Sequence, residues 1–486
     1  MCPSNGPPPF PISRTFMILS PPSPRARLAL SAGVAALIFL AGHVASAETW
    51  NAPTGGSWAT SSNWSPATVP SGEGASAIFN GAATGSNPSQ TANRTITLDG
   101  VQTVGSILFN NDLSPFTNTL SVGTGGSLIF DEVGAGPAVV TTTGSGTGNN
   151  TISAAMTLMD SLVGVVNNTT ASSAAGSLNL TGAMSGPGGF TKEGDGMATF
   201  GTGAKTYTGP TILSGGRMRI SMLARPSATS SFTINTGAQL TLISAETFTF
   251  GDGPLILNGY GPTSGPFAAF PGAIRPNTDL TASIANEVVL GSASLIHIQG
   301  AAAGVLTFTN SISGPGSLAL TGAPHDANLG TLVLQGSNTY GGGTVVNGGN
   351  LRVSGSNGTL GEGDVVVLSA HASFAGASAR LTIETGVLDA IADTAALSLT
   401  GGNVPGLADD GYIILEAGVN EFIGALMLGG IWQEPGTYGS SASLADFRSD
   451  EFFSGTGVVT VVPEPGSAAV LLTGLGALGL ARRRRR

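Results

Sequence analysis

Cysteine is almost missing from this 486-residue sequence, with Cys2 the one copy. No intrachain disulfide can form, and sites built on several thiolates are excluded. Charge is scarce as well: Asp, Glu, Lys and Arg together make 9%, against about 25% in ordinary globular domains. Cations are the scarcest where it matters, because eight of the 18 Lys and Arg residues lie in the two ends. Between residues 48 and 481 ten remain against 28 acids, a net charge of −18. Such a surface repels phosphate, which disfavours nucleic acid and anionic membrane as partners. Long apolar runs occur only near the two ends, so a polytopic membrane protein is excluded.

Apolar residues are nevertheless plentiful, at 41% with a mean hydropathy of +0.26. A disordered chain would be poor in them and rich in charge, so this one is expected to fold. Gly 74 and Pro 28 make about 21% of the chain, and the lack of a Gly-X-Y period removes collagen. Between 95 and 462, apolar or β-branched runs of three to five residues alternate with Gly, Asn, Ser or Asp. Runs at 95–98, 106–109, 127–130, 255–257, 305–308, 332–334, 365–368, 381–383, 397–399 and 412–415 predict strands. A helical period competes only over 385–396. Strand centres at Val366, Thr382, Ser398 and Ile414 are evenly spaced, sixteen positions apart, a regularity that indicates stacked coils or a sandwich.

The N-terminus reads as an export signal. Arg25 and Arg27 precede the apolar run 28–40, and Ala45-Ser46-Ala47 supplies the small residues before a cleavage point. Cleavage by signal peptidase after Ala47 would leave Glu48 first, and Met17 is an alternative start that removes Cys2. At the other end, Pro463, Glu464 and Pro465 stand before an apolar stretch, 467–480, and then Arg482, Arg483, Arg484, Arg485 and Arg486. Fourteen apolar residues are marginal for a span, and five arginines beyond them would stay cytoplasmic. A Pro-Glu-Pro box, a transmembrane segment and an Arg tail in this order resemble the PEP-CTERM sorting signal. That resemblance implies a Gram-negative bacterium, transient anchoring in the inner membrane, removal of the tail by an exosortase-type processing protease, and commonly exopolysaccharide as a companion. A plain C-terminal anchor is the alternative.

An internal repeat favours stacked coils. Residues 203–220 align with 336–353 at an offset of 133, with identities at Gly203, Thr206, Tyr207, Gly209, Thr211, Gly215, Gly216 and Arg219. Ser185-Gly186-Pro187-Gly188 matches Ser313-Gly314-Pro315-Gly316 at an offset of 128, so five residues are inserted in the second copy. The unit resembles the autotransporter-associated β-strand repeat, whose pattern runs GxGxLxKxGxGxLxLxGxNxYxGxTxVxxGxLxV. Gly314, Gly316, Leu318, Leu332, Leu334, Gly336, Asn338, Tyr340, Gly342, Thr344, Val346, Gly349, Leu351 and Val353 keep it. The first copy keeps Lys192 but has Ala198 and Phe200 in place of the second Leu pair.

The resemblance implies an all-β fold, a right-handed parallel β-helix (β-solenoid) with capped ends. The expected order is a signal peptide over 1–47, a Trp-rich cap over 48–94, the solenoid over 95–380 with repeat copies at 185–220 and 313–353, a C-terminal β region over 381–462, and the sorting signal over 463–486. Trp50, Trp58 and Trp64 are assigned to closing the first coil, although tryptophans also stack on sugar rings. At about 20 residues per coil the mature region would make roughly 20 coils.

Chemistry is hard to find in this sequence. His297, His325 and His371 share no metal-binding spacing, and no HExxH, P-loop or Gly-x-Ser-x-Gly motif occurs. His297, in the alternating run 295–298, is expected to be an exposed strand residue. Asn277-Thr278-Asp279 and Asp409-Asp410 resemble motifs of polygalacturonases but stand about 130 residues apart, whereas those motifs belong on neighbouring coils. The stretches 193–196 and 409–411 read as solvated acidic turns before they read as Ca²⁺ loops. The expectation is therefore a non-catalytic exported surface or matrix protein without cofactor or metal, structural or adhesive. A polysaccharide-binding or polysaccharide-degrading β-helix is the alternative.

Overall fold

The computed structural model describes residues 47–81, 90–112, 114–167, 176–269, 271–298, 304–322, 330–369, 379–402 and 404–462. Contacts divide the chain into 1–44 and 45–486, and only the second contains described residues. The described residues carry no α-helix, only three 3₁₀ turns among short strands. The strands form sheets of 18, 8, 8, 4 and 4 members, almost all paired in parallel. Each strand pairs with the equivalent strand of the coil before and the coil after, so the chain is a parallel β-helix.

Period-two sequence makes these strands. In Leu162–Val166 and Leu255–Gly259 alternate residues are buried, and the buried set faces the interior. In-register stacking then builds apolar columns: Leu332, Leu351, Leu381 and Ile413 are successive partners on four coils, and all are fully buried. Phe79 lies on Phe109, its register partner one coil on, with ring centroids 5.3 Å apart. Every parallel partner also satisfies backbone groups above and below, which is how a chain with so little charge avoids orphaned amides.

Coil length differs from the expectation and varies along the stack. The Asn338 amide donates to Thr359 Oγ1 one coil away, 21 residues on, whereas the Gly259 amide donates to Ser292 Oγ one coil away, 33 residues on. Among the described residues fourteen parallel steps lead from Ala47 to Ala425, giving fifteen coils rather than the larger number expected. The even spacing of Val366, Thr382, Ser398 and Ile414 marks half a coil, because Val366 pairs with Ser398 and Thr382 with Ile414, skipping one member of the series each time. Asp364 and Ala396, bonded across the first of these coil junctions, stand 32 residues apart. Two faces of one coil thus alternate along the series. Residues 385–396 form no helix; they are a turn-rich corner ahead of the strand Ala396–Leu399.

Both ends depart from parallel pairing. Ala47–Trp50 pairs in parallel with Ser76–Gly81 and antiparallel with Trp64–Ser65, so the first strand's outer edge is covered by its own chain. At the far end Ala425–Leu428 turns back antiparallel onto Ile431–Trp432. Gly436–Gly439 likewise runs antiparallel to Val458–Val461. Edges turned back in this way are poor templates for pairing with other chains.

Candidate functional site

The two repeat copies fold alike, and their shared residues explain one another. Tyr207 and Tyr340 are fully buried. Tyr207 Oη lies 2.7 Å from Thr211 Oγ1, and Tyr340 Oη lies 2.7 Å from Thr344 Oγ1. Burial pushes the Tyr340 hydroxyl up to about 12, so it stays a neutral hydrogen-bonding group. The glycine two residues on is required by contact with the coil before: a Cβ on Gly209 would stand 2.4 Å from Gly189 N, and one on Gly342 2.6 Å from Gly316 C. Thr–Tyr–x–Gly–x–Thr in the first copy, and its counterpart in the second, is thus a unit that locks one coil onto the next.

Lysine in the interior has a similar duty. Lys192 is fully buried and donates to the carbonyl oxygens of Gly194 and of Gly215, the latter at 2.9 Å on the next coil. Lys205 donates to Gly182 O at 2.8 Å and to Gly203 O, with Phe200 beneath its ammonium at 5.3 Å. Desolvation lowers the two amines to about 7 and about 8 respectively, although Asp195 and Glu193 pull Lys192 the other way. Each lysine gathers glycine carbonyls of two turns with its ammonium. A buried amide cluster does the same nearer the N-terminus, where Asn118 Nδ2 donates to Asn150 Oδ1 at 3.0 Å and Asn111 Nδ2 to Gly148 O at 2.8 Å.

Carboxylates also bind backbone across coils. Asp410 Oδ1 accepts the Ala379 amide at 2.8 Å, Glu416 Oε2 the Thr385 amide at 3.0 Å, and Glu421 the amides of Ala390 and Ile391. The first two reach back 31 residues, as does the Glu421 bond to Ala390, so one geometry repeats at three points of one coil. Burial raises Glu421 to about 7 against its ordinary 4.5; the two amides oppose the shift, and Asp389 and Asp393 add to it. The folded chain therefore holds a proton between pH 4.5 and 7 that the unfolded chain has released. Stability of the last coils should fall as pH rises through that window, and Glu421→Gln should flatten the fall. Hydrogen exchange of residues 390–426 at about pH 5 and about pH 7.5 checks this; equal protection at both pH values in the parent chain would contradict it.

The residues of the polygalacturonase-like alternative do not come together. Asn277 and Asp279 precede the strand Thr281–Ile284, while Asp409 and Asp410 precede Tyr412–Leu415. Five coil steps separate these strands, about 24 Å at about 4.8 Å per step. Among the described residues no three His, Cys, Asp or Glu side chains could hold a metal. His297 is buried rather than exposed, at 9% accessibility. Gly272 of the preceding coil sits against it, and desolvation helped by Arg275 lowers its imidazole to about 4. His325 and His371 lie outside the described residues.

Trp50, Trp58 and Trp64 are buried together, Trp64 with its centroid 5.1 Å from Trp50, 4.8 Å from Trp58 and 5.7 Å from Phe79. Their indole N–H groups donate to backbone carbonyls: Trp50 to Thr54, Trp58 to Pro70 and Trp64 to Trp58. No indole face is free for a sugar ring in this cluster. Ala47 opens the first strand as the partner of Ser76, so cleavage after it would start the mature chain inside a strand. Ala45, Pro463, Glu464, Pro465 and the five terminal arginines lie outside the described residues. No helix among the described residues is long and apolar enough to cross a membrane.

Sequence reasoning missed the interior Asn cluster and Glu421, and read Asp410 as part of a solvated acidic turn and not as a buried acceptor, because their partners lie one coil away and no local spacing announces them. Comparison with known proteins agrees with the geometry. A family model described as Passenger-associated-transport-repeat matches residues 190–220 and 327–353, the two units with the Tyr–Thr bond. A second, the PEP-CTERM protein-sorting motif, matches 461–486. The chain is 29% identical over 169 residues to Adhesin BmaC autotransporter of Brucella suis biovar 1 (strain 1330), a match covering 34% of this chain and 5% of that protein. No solved structure matches. The chain is therefore a β-helical protein that carries two passenger-associated-transport repeats and a PEP-CTERM sorting motif.

Proposed function

We propose that this is an exported, non-catalytic surface protein of a Gram-negative bacterium, whose stacked coils serve a structural or adhesive role. The observation that carries the reading is the joining of in-register repeat coils to a C-terminal sorting motif in one chain. The buried side chains of Lys192, Lys205, Asp410 and Glu421 are committed to backbone groups of neighbouring coils, which suits a load-bearing stack better than catalysis. The similarity to part of an adhesin supports the adhesive variant. On this reading signal peptidase cuts after Ala47 and an exosortase removes the segment beyond the Pro463-Glu464-Pro465 box. The apolar stretch 467–480 and Arg482 to Arg486 hold the precursor at the inner membrane until then.

Intact-mass measurement of the native exported protein tests this. A mass lacking the five terminal arginines is expected, and replacing Pro463, Glu464 and Pro465 by alanine should leave full-length precursor in the inner membrane. A mature protein that retains Arg486 would replace the sorting reading with a simple C-terminal anchor.

A further inference from the structure

Large apolar side chains are exposed at several points of the stack, but in the last coils four of them fall within seventeen residues of one another. Ile431 is 68% exposed, Trp432 60%, Leu444 92% and Phe447 51%. The segment after Ile431 and Trp432 brings them toward Phe447, since a Cβ on Gly436 would stand 2.8 Å from Phe447 Cε2. Ile431 and Trp432 form the edge strand that pairs with Ala425–Leu428. Two residues on, Glu434 O accepts the Tyr438 hydroxyl at 2.6 Å, and the Tyr438 ring stacks on Phe447 at 4.9 Å. Phe447 belongs to the edge strand Phe447–Arg448, and Leu444 lies in the turn just before it. Scattered apolar exposure is ordinary, but a Trp, a Phe, an Ile and a Leu within seventeen residues, three of them on two edge strands of the last coils, make a surface that calls for an occupant.

The chain itself says which occupant is close. Val458–Val461, the antiparallel partner of Gly436–Gly439, is the last strand, and the apolar stretch begins at Ser467. Six residue steps of extended chain from Val461 to Ser467 reach at most about 22 Å, so a bilayer holding 467–480 stands within that distance of the last strand. Trp and Phe with aliphatic neighbours are the side chains that settle at a membrane interface. Glu434, Asp446, Asp450 and Glu451 lie among them in sequence, and only Arg448 offsets them, so the surface suits a zwitterionic leaflet and not an anionic one.

We propose that the patch of Ile431, Trp432, Leu444 and Phe447 docks on the zwitterionic lipid interface of the membrane that holds the unprocessed tail, seating the last coil on the bilayer and presenting the Pro463-Glu464-Pro465 box at headgroup level. The inference rests on the sorting reading above. Docking limits the orientations of the tethered stack and fixes the height of the processing box, and it is lost when the tail is removed.

Trp432 provides its own probe, since the other three of the chain's four tryptophans are buried in the N-terminal cluster. Full-length chain is reconstituted into phosphatidylcholine vesicles containing lipid brominated near the headgroup, followed by flotation and fluorescence. Expected is flotation with the vesicles, at least a twofold quenching of the Trp432 contribution by bromolipid, and loss of that quenchable component in Trp432→Phe. Replacing a third of the lipid by phosphatidylglycerol should reduce the quenching. Flotation with Trp432 fully open to acrylamide and untouched by bromolipid would overturn the docking while leaving the sorting reading intact. Failure to float would overturn both. Shielding of Trp432 that grows with protein concentration at fixed lipid would assign the patch to a second copy of the chain and overturn the proposal.

Discussion

Tyr340→Ala should lower stability by about 3 kcal/mol, and the damage should stay local. The ring is fully buried between coils, its hydroxyl is 2.7 Å from Thr344 Oγ1, and Gly361 of the following coil lies so close that a Cβ there would meet Tyr340 Cδ2 at 2.5 Å. Removing the ring opens a void whose walls are backbone, which cannot collapse far without breaking parallel pairing. Tyr340→Phe should cost only about 1 kcal/mol, the net value of one buried hydrogen bond. Coils touch chiefly their neighbours, so hydrogen exchange should rise across 331–367 while Trp64 and its surroundings keep their protection. A uniform rise along the chain would mean one cooperative core instead of stacked units.

Trp64→Ala should cost about 3–5 kcal/mol at the opposite end of the stack. Its indole touches Trp50, Trp58 and Phe79, and its N–H donates to Trp58 O at 2.8 Å. It also sits on the two-residue strand that pairs antiparallel with Ala47–Trp50, so the substitution loosens the cover of the first edge as well as the packing beneath it. Coils as far as Phe109, stacked on Phe79, should become open to protease. Limited proteolysis should trim the N-terminal coils and leave a resistant C-terminal fragment. An unchanged digestion pattern would show that these residues do not close the stack.

Strands were legible in the sequence because an interior column requires an apolar residue at every second position, as at 305–308 and 412–415. Coil length was not, because it is set by corners of varying size, with cross-coil bonds that span 21 residues at Asn338 and 33 residues at Gly259 and leave no single period. The even spacing from Val366 to Ile414 signals stacking but not coil length, because two faces of one longer coil are regularly placed. His297 shows a second limit. Alternation places it on the outer face, but Gly272 of the preceding coil packs against it and Arg275 acts on its charge, and no local pattern connects either residue to it. Repeat identity at Tyr207 and Thr211 was readable as a pattern, whereas the bond between them was not, since only folding brings the side chains together. The sorting motif, by contrast, is legible from order and composition alone, because it is defined by the order of residues along the chain and not by their folding.

The coil register can be tested directly by disulfide trapping in a chain whose Cys2 is replaced by serine. Val366 and Ser398 are partners on adjacent coils, about 4.8 Å apart and within the range a disulfide bridges. Val366 and Thr382 lie in different sheets, although the sequence spaces them as closely as any pair in the series. Under mild oxidation Val366→Cys with Ser398→Cys should cross-link rapidly and almost completely, and Val366→Cys with Thr382→Cys should not. Rapid linkage of the second pair and none of the first would contradict the stacking of Val366 on Ser398 and of Thr382 on Ile414, on which the account rests.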